Sequence, residues 1–193
     1  MPSARAAGCA PPTSAATPST PSCAAAAPPP WARARPGLAS RLKFLALVCL
    51  ALVGLDQLTK AIAVYYIAPR GRIPVIAGFF DLVLWKNTGA AFGLLTGVPG
   101  GRWILVGLTL IALGVCAWMV TRHLAASRVM LWAVALICGG ALGNLVDRLR
   151  LGQVIDFVLL YYRQWYWPAF NLADSAITIG GVLLAVQLLR GKA

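Results

Sequence analysis

The 193-residue chain contains no glutamate, and its only acidic side chains are Asp56, Asp81, Asp147, Asp156 and Asp174, set against 17 lysines and arginines. Histidine is scarcer still, occurring once, as His123. A lone His without neighbouring Cys or His ligands makes no metal centre. HExxH, GxSxG and paired Cys and His motifs are also missing, which removes the metallo, serine and cysteine hydrolase routes as far as motifs can. Cysteines occur at 9, 23, 49, 116 and 138, without the close pairing of a metal site or the spacing of a disulfide framework. The last three lie in apolar runs, where a thiol behaves as a small hydrophobe. Charge is low at 11% and hydrophobic content high at 60%, a balance that excludes an ordinary soluble domain and points to the bilayer as solvent. The net charge of +12 comes without a dense basic cluster, so membrane headgroups rather than nucleic acid are the expected partners.

Residues 1–37 hold nine of the thirteen prolines. Such a segment buries too little apolar surface to offset its ordering entropy, and it is expected to be a disordered tail outside a domain of residues 38–193. Its prolines interrupt any apolar core of the kind a signal peptide carries. Four apolar runs follow, at about Leu42–Tyr65, Arg102–Val120, Val129–Leu145 and Phe170–Leu189, each near the length needed to cross roughly 30 Å of hydrocarbon. Between the first two, residues 67–101 change to Gly and Pro punctuation with short β-rich runs, which predicts a small extramembrane sheet with Asn87, Thr88 and Gly89 in a turn. The run YYRQWYWP reads as an aromatic and Arg segment at headgroup level. The expected fold is therefore membrane α-helical, with four transmembrane helices and a β-rich cradle.

The polar residues inside this apolar chain are the candidates for function, because an ionisable group against a membrane segment is costly to keep. Asp56 and Lys60 lie four residues apart on one helical face, where an ion pair at the membrane edge is the plainest role. Gly139 and Gly143 have the small-xxx-small spacing of close helix approach. Asn144, Asp147 and Arg148 then turn that face polar, and Asp147 with Arg148 reads equally well as a cap and an interfacial anchor. Asp156 lies between Ile155 and Phe157, where desolvation would raise its pKa. Asn171, Asp174, Ser175 and Thr178 mark the polar face of the last run, and an Asp in a first helical turn is often only a cap.

Four crossings put Asp56, Asp147, Asp156, Asp174 and the β-rich loop at one membrane face. Lys and Arg near the spans number eight on each side, so the charge bias sets no orientation. Two carboxylates brought together there cannot easily both ionise; one keeps a proton and the other acts as a base, enough to direct water at a peptide carbonyl. A proton-coupled transporter using the same acids as a relay, and a scaffold in which they only cap and anchor, are open alternatives on the residues alone. The first expects acids near mid-bilayer and an internal repeat.

Five blocks in order, DQLTK at 56–60, NTGAAFG at 87–93, GGALGNLVDR at 139–148, VIDF at 154–157 and FNLADS at 170–175, make the chain resemble the bacterial lipoprotein signal peptidases, or signal peptidase II. The resemblance covers about residues 42–190. It implies an aspartic endopeptidase of the bacterial inner membrane, with both termini cytoplasmic and the cradle and active site at the extracytoplasmic face. Such an enzyme removes the signal peptide from prolipoproteins just before the diacylglyceryl-modified cysteine. By the same resemblance Asp156 and Asp174 are the catalytic pair, and Asn87, Asn144, Arg148 and Asn171 hold substrate or the antibiotic globomycin. Asp56, Lys60 and Gly140 correspond to supporting positions. No metal or other cofactor is expected; the partners are lipid-modified precursors and membrane lipids, and the assembly a monomer.

Overall fold

A computed structural model describes residues 37–90, 94–122 and 127–190. The expectations for residues 1–36 of the tail, for His123 and for the end of the NTGAAFG block lie outside these residues. Four helices, α1 (Leu38–Ile67), α2 (Gly101–Thr121), α3 (Arg128–Leu151) and α4 (Leu172–Leu189), are each long and apolar enough to cross a membrane. The β-strands are β1 (Arg72–Ile76), β2 (Phe80–Asn87), β3 (Val154–Tyr162) and β4 (Trp165–Tyr166), joined in one antiparallel sheet in that order.

The helices differ in how much they hide. Two-thirds (67%) of the apolar window of α3 is buried, against 11% of that of α1, so α3 is the centre of the bundle and the others wrap it. Leu47, Leu50 and Leu58 on α1 and Leu108 and Ile111 on α2 face outward, as expected where lipid replaces water. Close packing on α3 depends on small residues. A Cβ added at Gly140 would collide with the backbone carbonyl of Ala173 on α4, and one added at Gly143 would stand 2.7 Å from Oδ2 of Asp56 on α1. Cys49, Cys116 and Cys138 are free thiols buried in the core with Val120, Met130 and Val134, which matches the packing role read from the sequence.

Two segments depart from the sequence reading. The third span does not stop near Leu145: α3 runs to Leu151, which keeps Asn144, Asp147 and Arg148 on one helical face as their spacing implied, and Asp147 is buried rather than a surface cap. The segment after it is not only an interfacial aromatic run. Residues 154–162 form β3, paired with β2 from Val154 to Leu160 across one register shift, with Trp85 opposite Asp156 and Asn87 opposite Val154. The sheet thus takes half its strands from beyond α3, and it carries Asp156 into the protein on its first turns of pleat. The exposed Tyr162, Trp165, Tyr166 and Trp167 at the far end keep the character of headgroup-level aromatics.

Candidate active site

Asn171 begins the construction of the site. It caps α4 by accepting from the N–H of Asp174 at 2.9 Å, while its own N–H donates to Oδ2 of Asp174 at 3.2 Å, a complete capping box. The capping role read from the sequence is therefore real. It does not use up Asp174, whose Oδ1 accepts from Nδ2 of Asn144 at 2.7 Å. The side chain of Asn171 turns the other way, donating to Oδ1 of Asp156 at 2.7 Å. One residue thus holds both carboxylates, at the junction of β3 and α4.

Asp156 is 1% exposed, and its Oδ2 accepts from Nδ2 of Asn87 at 2.9 Å. Asn87 is also the turn residue expected, because its Oδ1 accepts from the N–H of Gly89 at 3.0 Å. Arg148 donates from Nη2 to the carbonyl of Gly89 at 3.1 Å and so pins that turn to α3. Burial, and next the negative charge of Asp174, push the Asp156 carboxyl up to about 7; hydrogen bonds from Asn87 and Asn171 and the charge of Lys60 oppose this.

A cavity of about 1310 Å³ opens beside the pair, between the sheet, α3 and α4. Its lining includes the polar Asn87, Asn144, Arg148 and Asp174 and the apolar or aromatic Trp85, Tyr166, Trp167, Phe170 and Ile179. Asp156 stands just behind this lining, bonded to Asn87 within it. Asn171 is fully buried. Of the residues expected at the site, Asn87, Asn144, Arg148, Asn171, Asp156 and Asp174 all meet here.

Asp56 and Lys60 lie one layer deeper, where Lys60 Nζ is 2.7 Å from Asp56 and 2.8 Å from Asp147. Asp147 is the member that sequence reasoning did not select. Its signal was present in the spacing, since it lies three residues after Asn144 on the same helical face. Gln57, which donates from Nε2 to Oδ1 of Asp147 at 2.8 Å, was missed as well. The fifth acid, Asp81, serves the sheet: it is buried on β2, paired with Arg72 and accepting from the hydroxyl of Tyr161 at 3.2 Å.

Fold and site together define a polytopic membrane protein with two amide-held carboxylates, one lining a cavity beside the sheet and the other buried just behind that lining. A sequence profile of the family described as "Signal peptidase (SPase) II" matches residues 48–190. The lipoprotein signal peptidase of Paraburkholderia phytofirmans is 47% identical over 145 residues, covering 74% of this chain and 83% of the relative. That of Azoarcus sp. (strain BH72) is 45% identical over 163 residues, covering 82% and 89%. A solved structure described as "Bacterial membrane enzyme structure by the in meso method at 2.3 A resolution" superposes with a TM-score of 0.66 at 31% identity, covering 78% of this chain and 90% of that one. The chain belongs to the signal peptidase II family, the lipoprotein signal peptidases, and is a peptidase of the aspartic type that family comprises.

Proposed function

We propose that Asp156 and Asp174 are the catalytic pair and that they share one proton while cutting lipid-modified prolipoproteins just before the diacylglyceryl cysteine. The observation that carries this is the shared grip of Asn171, which places a buried carboxyl with a raised pKa beside a second carboxylate that lines the cavity. Asp156 holds the proton at rest, and Asp174 is the base. Asp174 takes a proton from water as the water oxygen attacks the scissile carbonyl carbon, and Asp156 donates to the developing oxyanion. Collapse of the tetrahedral intermediate breaks the C–N bond. Asp174 then gives its proton to the leaving amine, and Asp156 recovers its own from the hydroxyl.

Asn87, Asn144 and Arg148 line the cavity and are the groups available to orient the peptide; Asn171 serves the carboxylates instead. The apolar wall suits a substrate whose acyl chains stay in lipid while its peptide reaches headgroup depth. In this reading the enzyme lies in the bacterial inner membrane as a monomer, with the sheet and cavity at the extracytoplasmic face.

The test is cleavage of a synthetic precursor peptide carrying a diacylglyceryl cysteine, by the reconstituted full chain and by its Asp156→Asn and Asp174→Asn variants. Each variant, folded, is expected to lose at least about a thousandfold in kcat. Wild-type turnover by either one contradicts the reading.

A further inference from the structure

Each site aspartate is preceded in the chain by a residue whose backbone N–H donates to a different buried acid. The N–H of Ala173, next to Asp174, reaches Oδ1 of Asp56 at 3.0 Å. The N–H of Ile155, next to Asp156, reaches Oδ2 of Asp147 at 3.2 Å. Asp56 comes from α1 and Asp147 from α3, and a single ammonium joins them: Lys60 Nζ is 2.7 Å from Oδ2 of Asp56 and 2.8 Å from Oδ2 of Asp147. Its third bond goes to Oδ1 of Asn144 at 3.1 Å, and Asn144 in turn donates to Asp174. An ammonium has three protons, and all three are accounted for.

Lys60 is not among the residues lining the cavity, so it is not placed to touch substrate. Fold stability alone is a weak reason for the arrangement, since replacing a buried ion triad with well-packed apolar side chains is often neutral or stabilising. What apolar packing does not supply is a fixed distance between two particular backbone amides. With the three side chains at most 4% exposed, the ion pairs have little water to compete with and can set that distance.

We infer that Lys60 is a positioning residue for the peptidase reaction: by clamping Asp56 to Asp147 it fixes the first turn of α4 against the start of β3, and with them the separation of Asp174 and Asp156. The inference rests on the assignment of those two aspartates as the catalytic pair. Lys60 acts on turnover through geometry, and a small relaxation of the clamp separates groups that must act on the same atoms.

The experiment compares kcat and KM of the reconstituted full chain with those of Lys60→Met and Lys60→Arg, using the lipidated peptide and recording thermal unfolding of each. Lys60→Met is expected to lose about a hundredfold in kcat while KM stays within about threefold, the size of effect that slight misplacement produces. Lys60→Arg is expected to recover part of the loss, because a guanidinium still bridges two carboxylates, though from a planar fork. If Lys60→Met does not fold, the triple variant Asp56→Asn, Lys60→Met, Asp147→Asn leaves no charge unpaired, keeps both acceptor oxygens, and is expected to show the same split.

Wild-type kcat in folded Lys60→Met or in the triple variant overturns the inference, as does a rise in KM with kcat unchanged. Asp156→Asn is run alongside. If it remains active, the catalytic assignment fails; if it is dead while Lys60→Met turns over normally, only the positioning role fails.

Discussion

Asn171 donates its side-chain amide to Oδ1 of Asp156 at 2.7 Å, and its backbone N–H to Oδ2 of Asp174 at 3.2 Å. One residue thus caps α4 and bonds both carboxylates. Asn171→Ala removes the cap acceptor and the donor to Asp156 together. It is expected to cost about 0.5–2 kcal/mol of stability from the cap. Turnover should fall by far more than the lost folded fraction explains, which chemical unfolding in detergent and a cleavage assay at matched folded protein will separate.

Asn87 is one of the groups that hold the Asp156 carboxyl down. Its replacement by Ala is expected to raise that carboxyl further. In the proposed mechanism turnover needs the proton on Asp156, so activity is expected to fall as pH rises through its pKa. The alkaline fall of kcat in Asn87→Ala should therefore lie at higher pH than in the wild type, which a pH profile measures directly. A fall displaced to lower pH contradicts the hydrogen bond's assigned effect.

The same carboxyl makes stability depend on pH in a defined direction. Its folded value of about 7 lies above the ordinary carboxyl range, so between the two the folded chain binds more protons than the unfolded one. This contribution is fully present below about pH 4 and is lost as pH rises to about 7. The thermal midpoint should fall across that window, and Asp156→Asn should flatten the slope.

Gly140 and Gly143 have no room for a methyl group, but the obstacles differ. At Gly140 it is the rigid carbonyl of Ala173, and at Gly143 the carboxylate of Asp56. Each Ala substitution is expected to destabilise by about 1–3 kcal/mol through overpacking. Both also press on groups that support Asp174, so kcat should drop in the surviving folded protein. Unchanged kcat in both would separate helix packing from the site.

Asp81 joins Arg72 and Tyr161 across the sheet. Asp81→Asn weakens the wall of the cavity on which Arg72 lies, and it should raise KM more than it lowers kcat. The opposite pattern would mean that the sheet acts on the chemical step.

The spans were legible because lipid leaves an unbroken apolar run few other fates, and the helices fall near the expected positions apart from the end of α3, which runs on to Leu151. The six residues of the inner site were legible through their motif blocks. Residues 154–162 were not legible as a strand, because a β-branched and aromatic run beside a membrane span reads equally well as an interfacial belt; only the pairing with β2 decides. The spacing put Asp147 on the polar face with Asn144, but its ion-pair partner was not legible, because Lys60 is 87 positions away. Asp174 could not be sorted into cap or site residue from sequence because it is bonded on both sides, one oxygen to the Asn171 cap and the other to Asn144 on α3.

The central claim is that a proton sits on Asp156 between two carboxylates, and infrared difference spectroscopy of the reconstituted protein tests it most directly. A protonated carboxyl stretch should be present at pH 5, titrate away near pH 7, and be missing from Asp156→Asn at every pH. A spectrum with no such band at pH 5, or a band that persists in Asp156→Asn, would contradict the account.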